Sequence, residues 1–407
     1  MQEMYWLTNV RLENGHIVEE GNVVGTSTDL YHLQIQAGKI SNILPATEPL
    51  PDDAALRMDA QGLLALPSFI EKHCHLDKTL LGDRWRPVQP AASIVERFEI
   101  EKQTLPTLAT TMKERAEALL RVLLQAGSTH VRTHVDIYPK VGLRHLETIQ
   151  EAFAAFDGKM SYEIVAFPQH GLLRTQCYDL IKAAVRQGCG LVGGVDPHHV
   201  DGDMEKSLHQ MMELAVEGNA DVDLHLHDGG RIGLDTIKRL AHLTEQAGWQ
   251  GRVSISHAFA LGDMEGQEVD EIAHLLAENG MTIVTSVPLA RTMPPVPFLH
   301  QHHVPVAVGC DNIFDSWSPF GNGDVLERAG RLAERFGSRT ELDLARTLHF
   351  ITGGKTPLDE EGRQVWPKMG DDASIVFVEA SCSAETIARR SKRPAVMYQG
   401  KIVSGSL

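Results

Sequence analysis

Cysteine is scarce in this chain: Cys74, Cys177, Cys189, Cys310 and Cys382 are the only five in 407 residues. They are scattered, odd in number and never form a Cys-x-x-Cys pair, which argues against a disulfide framework and for free thiols in a reducing, cytoplasmic compartment. Positive charge is also short. Against 54 Asp and Glu stand 38 Lys and Arg, a formal net charge of −16. That balance excludes nucleic acid and anionic membrane as favoured partners. No apolar run approaches the roughly 18 residues of a membrane span. The opening Met1-Gln2-Glu3-Met4-Tyr5-Trp6 lacks the basic start and apolar core of a signal peptide. Familiar catalytic signatures are missing too. There is no Gly-x-Ser-x-Gly, no His-Glu-x-x-His, and no His-x-Glu with Pro-Cys-x-x-Cys. Gly353-Gly354-Lys355-Thr356 ends like a phosphate-binding loop, but residue 349 is His where that motif needs its leading glycine.

What is present is an ordinary globular composition, 43% hydrophobic and 23% charged. Residues 1–62 read as short strands and turns, with strands over Tyr5–Arg11, Tyr31–Gln36 and Lys39–Leu44. Asn14-Gly15 and Ala37-Gly38-Lys39 supply turn chemistry. From Leu63 the texture changes to alternating strand and helix. The apolar run Leu63–Ile70 reads as a first strand. Thr129–Val135, Tyr162–Phe167, Gly190–Val195, Ala220–Leu226, Arg252–Ser256, Met281–Ser286 and Val304–Gly309 complete a set of eight. Helical spacing recurs between them, as in 107–125 and 233–247. Eight strand–helix units imply a closed parallel (β/α)8 barrel of the TIM type. Strand texture returns in Ala373–Val378 and Ala395–Val403. The expected organisation is a barrel over 63–365, bracketed by a small β-sandwich built from 1–62 and 366–407.

The candidate chemistry collects at strand ends. His73 and His75 are two apart, so in a strand their imidazoles share a face. His225, His257 and Asp311 end the fifth, sixth and eighth strands. The set His73, His75, His225 and Asp311 offers three nitrogens and one oxygen, which suits one Zn²⁺ or Fe²⁺ with a position left open for water. No lysine falls in the fourth strand, so a carbamylated-lysine bridge between two metals has no residue to form it. His257 is placed to steady the metal-bound hydroxide or to polarise the substrate. Asp228, three residues past His225, and His227, on the same strand face as His225, are both candidates for carrying a proton to a leaving nitrogen. Gln169 ends the third strand and can pair with an amide-like substrate edge through one donor and one acceptor. Trp317 is a candidate aromatic wall.

At these residues the chain resembles the amidohydrolase superfamily, and within it the cytosine deaminase-like branch. Glu71-Lys72-His73-Cys74-His75-Leu76-Asp77-Lys78-Thr79 is similar to the family's first metal motif, and His130-Val131-Arg132-Thr133-His134-Val135-Asp136 to its second strand. Val165-Ala166-Phe167-Pro168-Gln169, Ser256-His257 and the segment 309–317 match further family segments. The resemblance implies one Fe²⁺ or Zn²⁺ and hydrolysis at a ring carbon bearing an amino group, with Asp311 receiving a proton from the metal's water. It also implies a homo-oligomer acting on a small heterocyclic substrate. Two departures stand out. Cytosine deaminases place a glutamate where this chain has Asp228, whereas N-isopropylammelide hydrolases use a histidine that His227 matches. Pro67-Ser68 stands where the family has Pro-Gly. The expectation is hydrolytic deamination of an amino-substituted N-heterocycle, with removal of an alkylamine or opening of a cyclic amide as alternatives. A barrel that binds a ligand without turning it over is the non-enzymatic alternative.

Overall fold

The computed structural model describes residues 4–51, 56–263 and 267–407. Eight parallel strands form the central sheet: Phe69–Cys74, Ser128–Asp136, Ser161–Phe167, Leu191–Val195, Asp221–Leu226, Val253–His257, Thr282–Thr285 and Val306–Val308. They pair in sequence order, and a parallel bridge between Cys74 and Asp311 joins the last to the first, so the sheet rolls into a barrel. The seam is tight. A side chain at Gly309 would sit 2.6 Å from the Cβ and the backbone nitrogen of His73, so only glycine lets the eighth strand approach the first. A buried carboxylate fastens the same seam. Glu71 accepts from the backbone N–H of His73 and, through both oxygens, from that of Cys310.

The strand interiors are near-continuous apolar runs because helices cover the outside. Leu119, Leu120, Leu123, Ile149, Ile237 and Leu240, on three covering helices, are all buried in one core with Val131, Val222 and Ile255 from the strands. Helix starts follow local chemistry. Thr111 and Glu114 form a reciprocal capping box on Met112–Gln125, and Asp203 caps Met204–Gly218.

Both chain ends build a second eight-stranded sheet with its own core of Leu7, Val10, Leu33, Ile35, Ile375 and Phe377. Here two readings need correction. The apolar run 63–70 is two strands rather than one. Leu64–Pro67 joins the terminal sheet, antiparallel to Ile375–Val378, and the barrel begins only at Phe69. Burial on all sides made both halves equally apolar, so periodicity could not show the change of sheet at Ser68. Asn14-Gly15 makes no turn; it lies inside the long strand Tyr5–Glu19, at a register shift against Asn22–Gln36. The actual hairpin turn is Glu20-Gly21, both residues at positive φ.

Candidate active site at the barrel mouth

The C-terminal ends of the barrel strands bring the strand-end histidines together. Ring centroids of His73 and His225 lie 4.6 Å apart, His75 and His225 5.4 Å, and His225 and His257 5.2 Å. Asp311 Oδ1 is 3.3 Å from His75 Nε2 and 3.5 Å from His73 Nε2. Ligand atoms of His73, His75 and Asp311 lie within 4.8 Å of one another, as do those of His73, His225 and His257. Several of these imidazole nitrogens are buried with no hydrogen-bond partner among the described residues: His73 Nε2, His75 Nδ1, both nitrogens of His225 and His257 Nε2. Buried polar atoms of a folded protein are normally satisfied. A cluster of orphaned nitrogens facing one carboxylate fits a divalent metal. Burial pushes His75 down to about 4 and His225 well below the usual imidazole range, so both stand neutral as ligands must, and it pushes His257 well below that range too. Burial opposes ionisation of Asp311, but His257, His73 and His75 overcome it and hold its carboxyl well below the usual range. His257 and Asp311 both adopt left-handed backbone (φ 71° and 59°), the kind of local strain that collects at functional sites.

A second, fully paired network lies beneath. His73 Nδ1 is 2.8 Å from Ser256 Oγ, and Ser256 donates to Asp223 Oδ1 at 2.7 Å. Arg132 donates to Asp223 Oδ2 at 2.9 Å and to Glu163 at 2.7 Å. This chain fixes which ring nitrogen of His73 faces the mouth. His134 was missed in the sequence. Its ring lies 4.2 Å from that of His73, with both nitrogens buried and unpartnered among the described residues. Its signal was the alternation Arg132, His134, Asp136, which repeats the spacing of His73 and His75. A third group, His73, His134 and Asp223, is also close enough to hold a metal, but Arg132 and Ser256 already take both oxygens of Asp223.

The remaining candidates divide. His227 lines the cavity, its ring stacked 4.5 Å from that of His257, and its Nδ1 is 2.8 Å from Asp196 Oδ2. Burial would lower His227, but Asp196 outweighs it and raises the imidazole. Asp228 is not part of the cavity wall; its Oδ1 is 2.5 Å from His199 Nδ1, and burial raises its carboxyl. Gln169 and Trp317 both line the cavity, which opens to solvent. Both are already engaged by neighbours. Gln169 Oε1 accepts from Lys78 Nζ, its Nε2 donates to Glu101 at 2.7 Å, and Trp317 Nε1 donates to Glu101 at 2.6 Å. Lys78 and Glu101 also escaped the sequence reading. Glu101 lies on Ile94–Thr104, a helix in the long connection after the first strand whose polar residues obscure its helical period.

Comparison with known proteins agrees with this geometry. The family profile described as the amidohydrolase family matches residues 57–404. An uncharacterized protein of Escherichia coli K12, YahJ, is 40% identical over 406 residues, covering 99% of this chain and 88% of that one. The N-isopropylammelide isopropyl amidohydrolase of Pseudomonas sp. strain ADP is 30% identical over 404 residues, with 96% of each chain covered. The crystal structure of N-isopropylammelide isopropylaminohydrolase from Burkholderia multivorans superposes with a TM-score of 0.87 at 32% identity over 99% of both chains. With the barrel, the terminal sheet and the histidine cluster in place, the match over nearly the whole chain shows that this protein belongs to the amidohydrolase family, as an enzyme acting on carbon–nitrogen bonds other than peptide bonds.

Proposed function

We propose that the enzyme hydrolyses the bond between a ring carbon of a small N-heterocycle and an exocyclic amine, releasing ammonia or a short alkylamine. One observation carries this reading: His227, held through Nδ1 by Asp196, presents the other edge of its ring to the cavity that His75, His225, His257 and Asp311 line. A proton carrier facing the nucleophile's side of the pocket is what expulsion of a poor nitrogen leaving group needs.

His73, His75, His225 and Asp311 would hold one divalent ion, Zn²⁺ or Fe²⁺. When bound, that ion supplies Lewis-acid polarisation and lowers the pKa of water to near neutrality. The carboxylate of Asp311 takes the proton from the attacking water. His257, whose Nε2 has no partner among the described residues, orients the oxygen as it closes on the ring carbon. The carbon–oxygen bond forms, the tetrahedral carbon expels the amine, and His227 Nε2 gives the leaving nitrogen its proton. The proton gained at Asp311 then replaces it. Asp196 keeps the His227 tautomer fixed throughout. Gln169 and Trp317 position the ring at the open mouth of this cavity. The orientation of Asp228 towards His199 supports His227 over Asp228 as the proton carrier. The names of the 30% and 32% identical relatives support an N-alkyl substituent as one substrate type. Five buried, unpaired cysteines support a reducing, cytoplasmic setting. No helix among the described residues is long and apolar enough to cross a membrane. A homo-oligomer acting on a freely diffusing small molecule completes the reading.

The test is a release assay on cytosine, isocytosine, isoguanine, ammelide and N-alkyl ammelides, read for ammonia and for alkylamine. The expected result is release of one amine per ring, with His227→Gln losing about a hundredfold or more in kcat and Asp228→Asn less than tenfold. Equal losses in the two variants, or no amine from any member of the panel, would contradict the reading.

A further inference from the structure

A second cavity, of about 240 Å³, lies where the terminal sheet meets the outer helices of the barrel, and it shares no lining residue with the mouth. Glu13 on the strand Tyr5–Glu19 and Thr26 on Asn22–Gln36 belong to its sheet side. Leu342 and Ala345 on the helix Glu341–Thr347, together with His300 and His349, belong to its barrel side. Junctions between packed units of a chain are common places for small ligands.

Glu13 is the unusual member of this lining. It is 3% exposed. Its hydrogen-bonding neighbour is Ser383, whose backbone N–H donates to Oε1 and whose hydroxyl also favours the carboxylate; no cation pairs with it among the described residues. Glu341 adds a like charge nearby, and its own partners are neutral, Thr26 Oγ1 at 2.6 Å and the Cys382 thiol at 3.3 Å. The remaining acids around the cavity are matched, Glu360 by Arg346 at 3.2 Å and Asp359 by Arg363 at 2.7 Å. Burial lowers His300 and His349, so both stand neutral and each offers an acceptor nitrogen. A buried carboxylate without a counter-ion is costly, and burial accordingly pushes Glu13 up to about 7. An incoming cation would restore the charged form and gain a charge-assisted hydrogen bond.

The cavity thus offers acceptors and apolar surface but no unpaired lysine or arginine. The described ligand sets close enough to share a metal ion all contain His73 and none lies here, so the cation that fits is an organic one. We propose that this cavity is a second binding site, which takes a short alkylammonium ion with its N–H groups on Glu13 and its chain against Leu342 and Ala345. The site stands apart from the mouth and does not depend on the reaction carried out there.

The test is calorimetric titration of the full-length protein with three probes of equal chain length: n-butylammonium, butyrate and 1-butanol. The expected result is a saturable n-butylammonium site, filled by about 10 mM, with butyrate and 1-butanol weaker by at least about tenfold, the worth of one charge-assisted hydrogen bond. Glu13→Gln keeps the shape of the side chain and removes its charge, and should weaken n-butylammonium by about tenfold or more. Ala345→Phe keeps the charge and fills the space beside Leu342, and should abolish the site. Circular dichroism confirms that each variant is folded. Binding that persists in either folded variant, as it would for an amine held at the barrel mouth, would overturn the proposal. Equal affinity for butyrate or 1-butanol, or no binding of n-butylammonium to the wild type, would overturn it as well.

Discussion

Two layers of the barrel treat buried polar groups in opposite ways. In the lower layer Arg132, Asp223, Glu163 and Ser256 pair with one another, and Glu71 is satisfied by two backbone N–H groups. Towards the mouth, His75, His225 and His257 are as buried as Arg132 yet leave ring nitrogens without partners among the described residues. Apart from the half-buried Glu163, burial is alike in the two layers; what differs is whether the fold itself supplies the partner. The lower layer is a structural device and the upper one awaits a ligand. Among the described residues, His73 joins the two, Nδ1 below and Nε2 above.

Three substitutions probe that contrast. Arg132→Met strikes the satisfied layer and leaves Asp223 without its cation, whereas Glu163 keeps Lys72 at 3.0 Å. It should cost about 3–5 kcal/mol of stability, read as a large fall in melting temperature before activity is considered. Glu13→Gln probes a third kind of site, a carboxyl buried on the first strand of the terminal sheet that accepts from Ser383 N–H without facing a cation. Burial pushes Glu13 up to about 7. A carboxyl raised in the folded state contributes stability below its unfolded pKa and loses it as pH rises through the folded value. The wild type should therefore lose up to about 3 kcal/mol relative to Glu13→Gln between pH 5 and pH 8, measured by denaturant unfolding at each pH. Ser256→Ala cuts the link between the layers. It should weaken metal affinity by about ten- to a hundredfold with a smaller change in stability, measured by competition with a chelator.

The legible parts of the molecule were those where one physical constraint dominates. Seven barrel strands were readable within about two residues at either end, because helices on the outside force uninterrupted apolar runs. The clustering of the strand-end histidines and Asp311 was readable because residues at the C-terminal ends of barrel strands converge on one mouth. The boundary at Ser68 was hidden, since both flanking strands are buried and no pattern separates one sheet from the other. The helix Ile94–Thr104 was hidden for the opposite reason: Ile94, Val95, Phe98 and Glu101 face the site or the core, and of the other seven residues only Ile100 is apolar, so the segment looks like loop. The pairing of Gln169 with Lys78 crosses 91 positions and depends on rotamers that no linear spacing reports. The same holds for the divergence of His227 and Asp228, neighbours in sequence that face different partners, Asp196 and His199.

The central claim is that the upper layer is completed by one divalent ion. The direct measurement is to strip the protein with a chelator, restore Zn²⁺ or Fe²⁺, and determine bound metal per chain together with the melting temperature, for the wild type and for His225→Ala. The account predicts about one ion per wild-type chain, a rise in melting temperature on binding, and loss of both in a His225→Ala variant that still folds without metal. Two ions per chain, or an unchanged stoichiometry in His225→Ala, would contradict it.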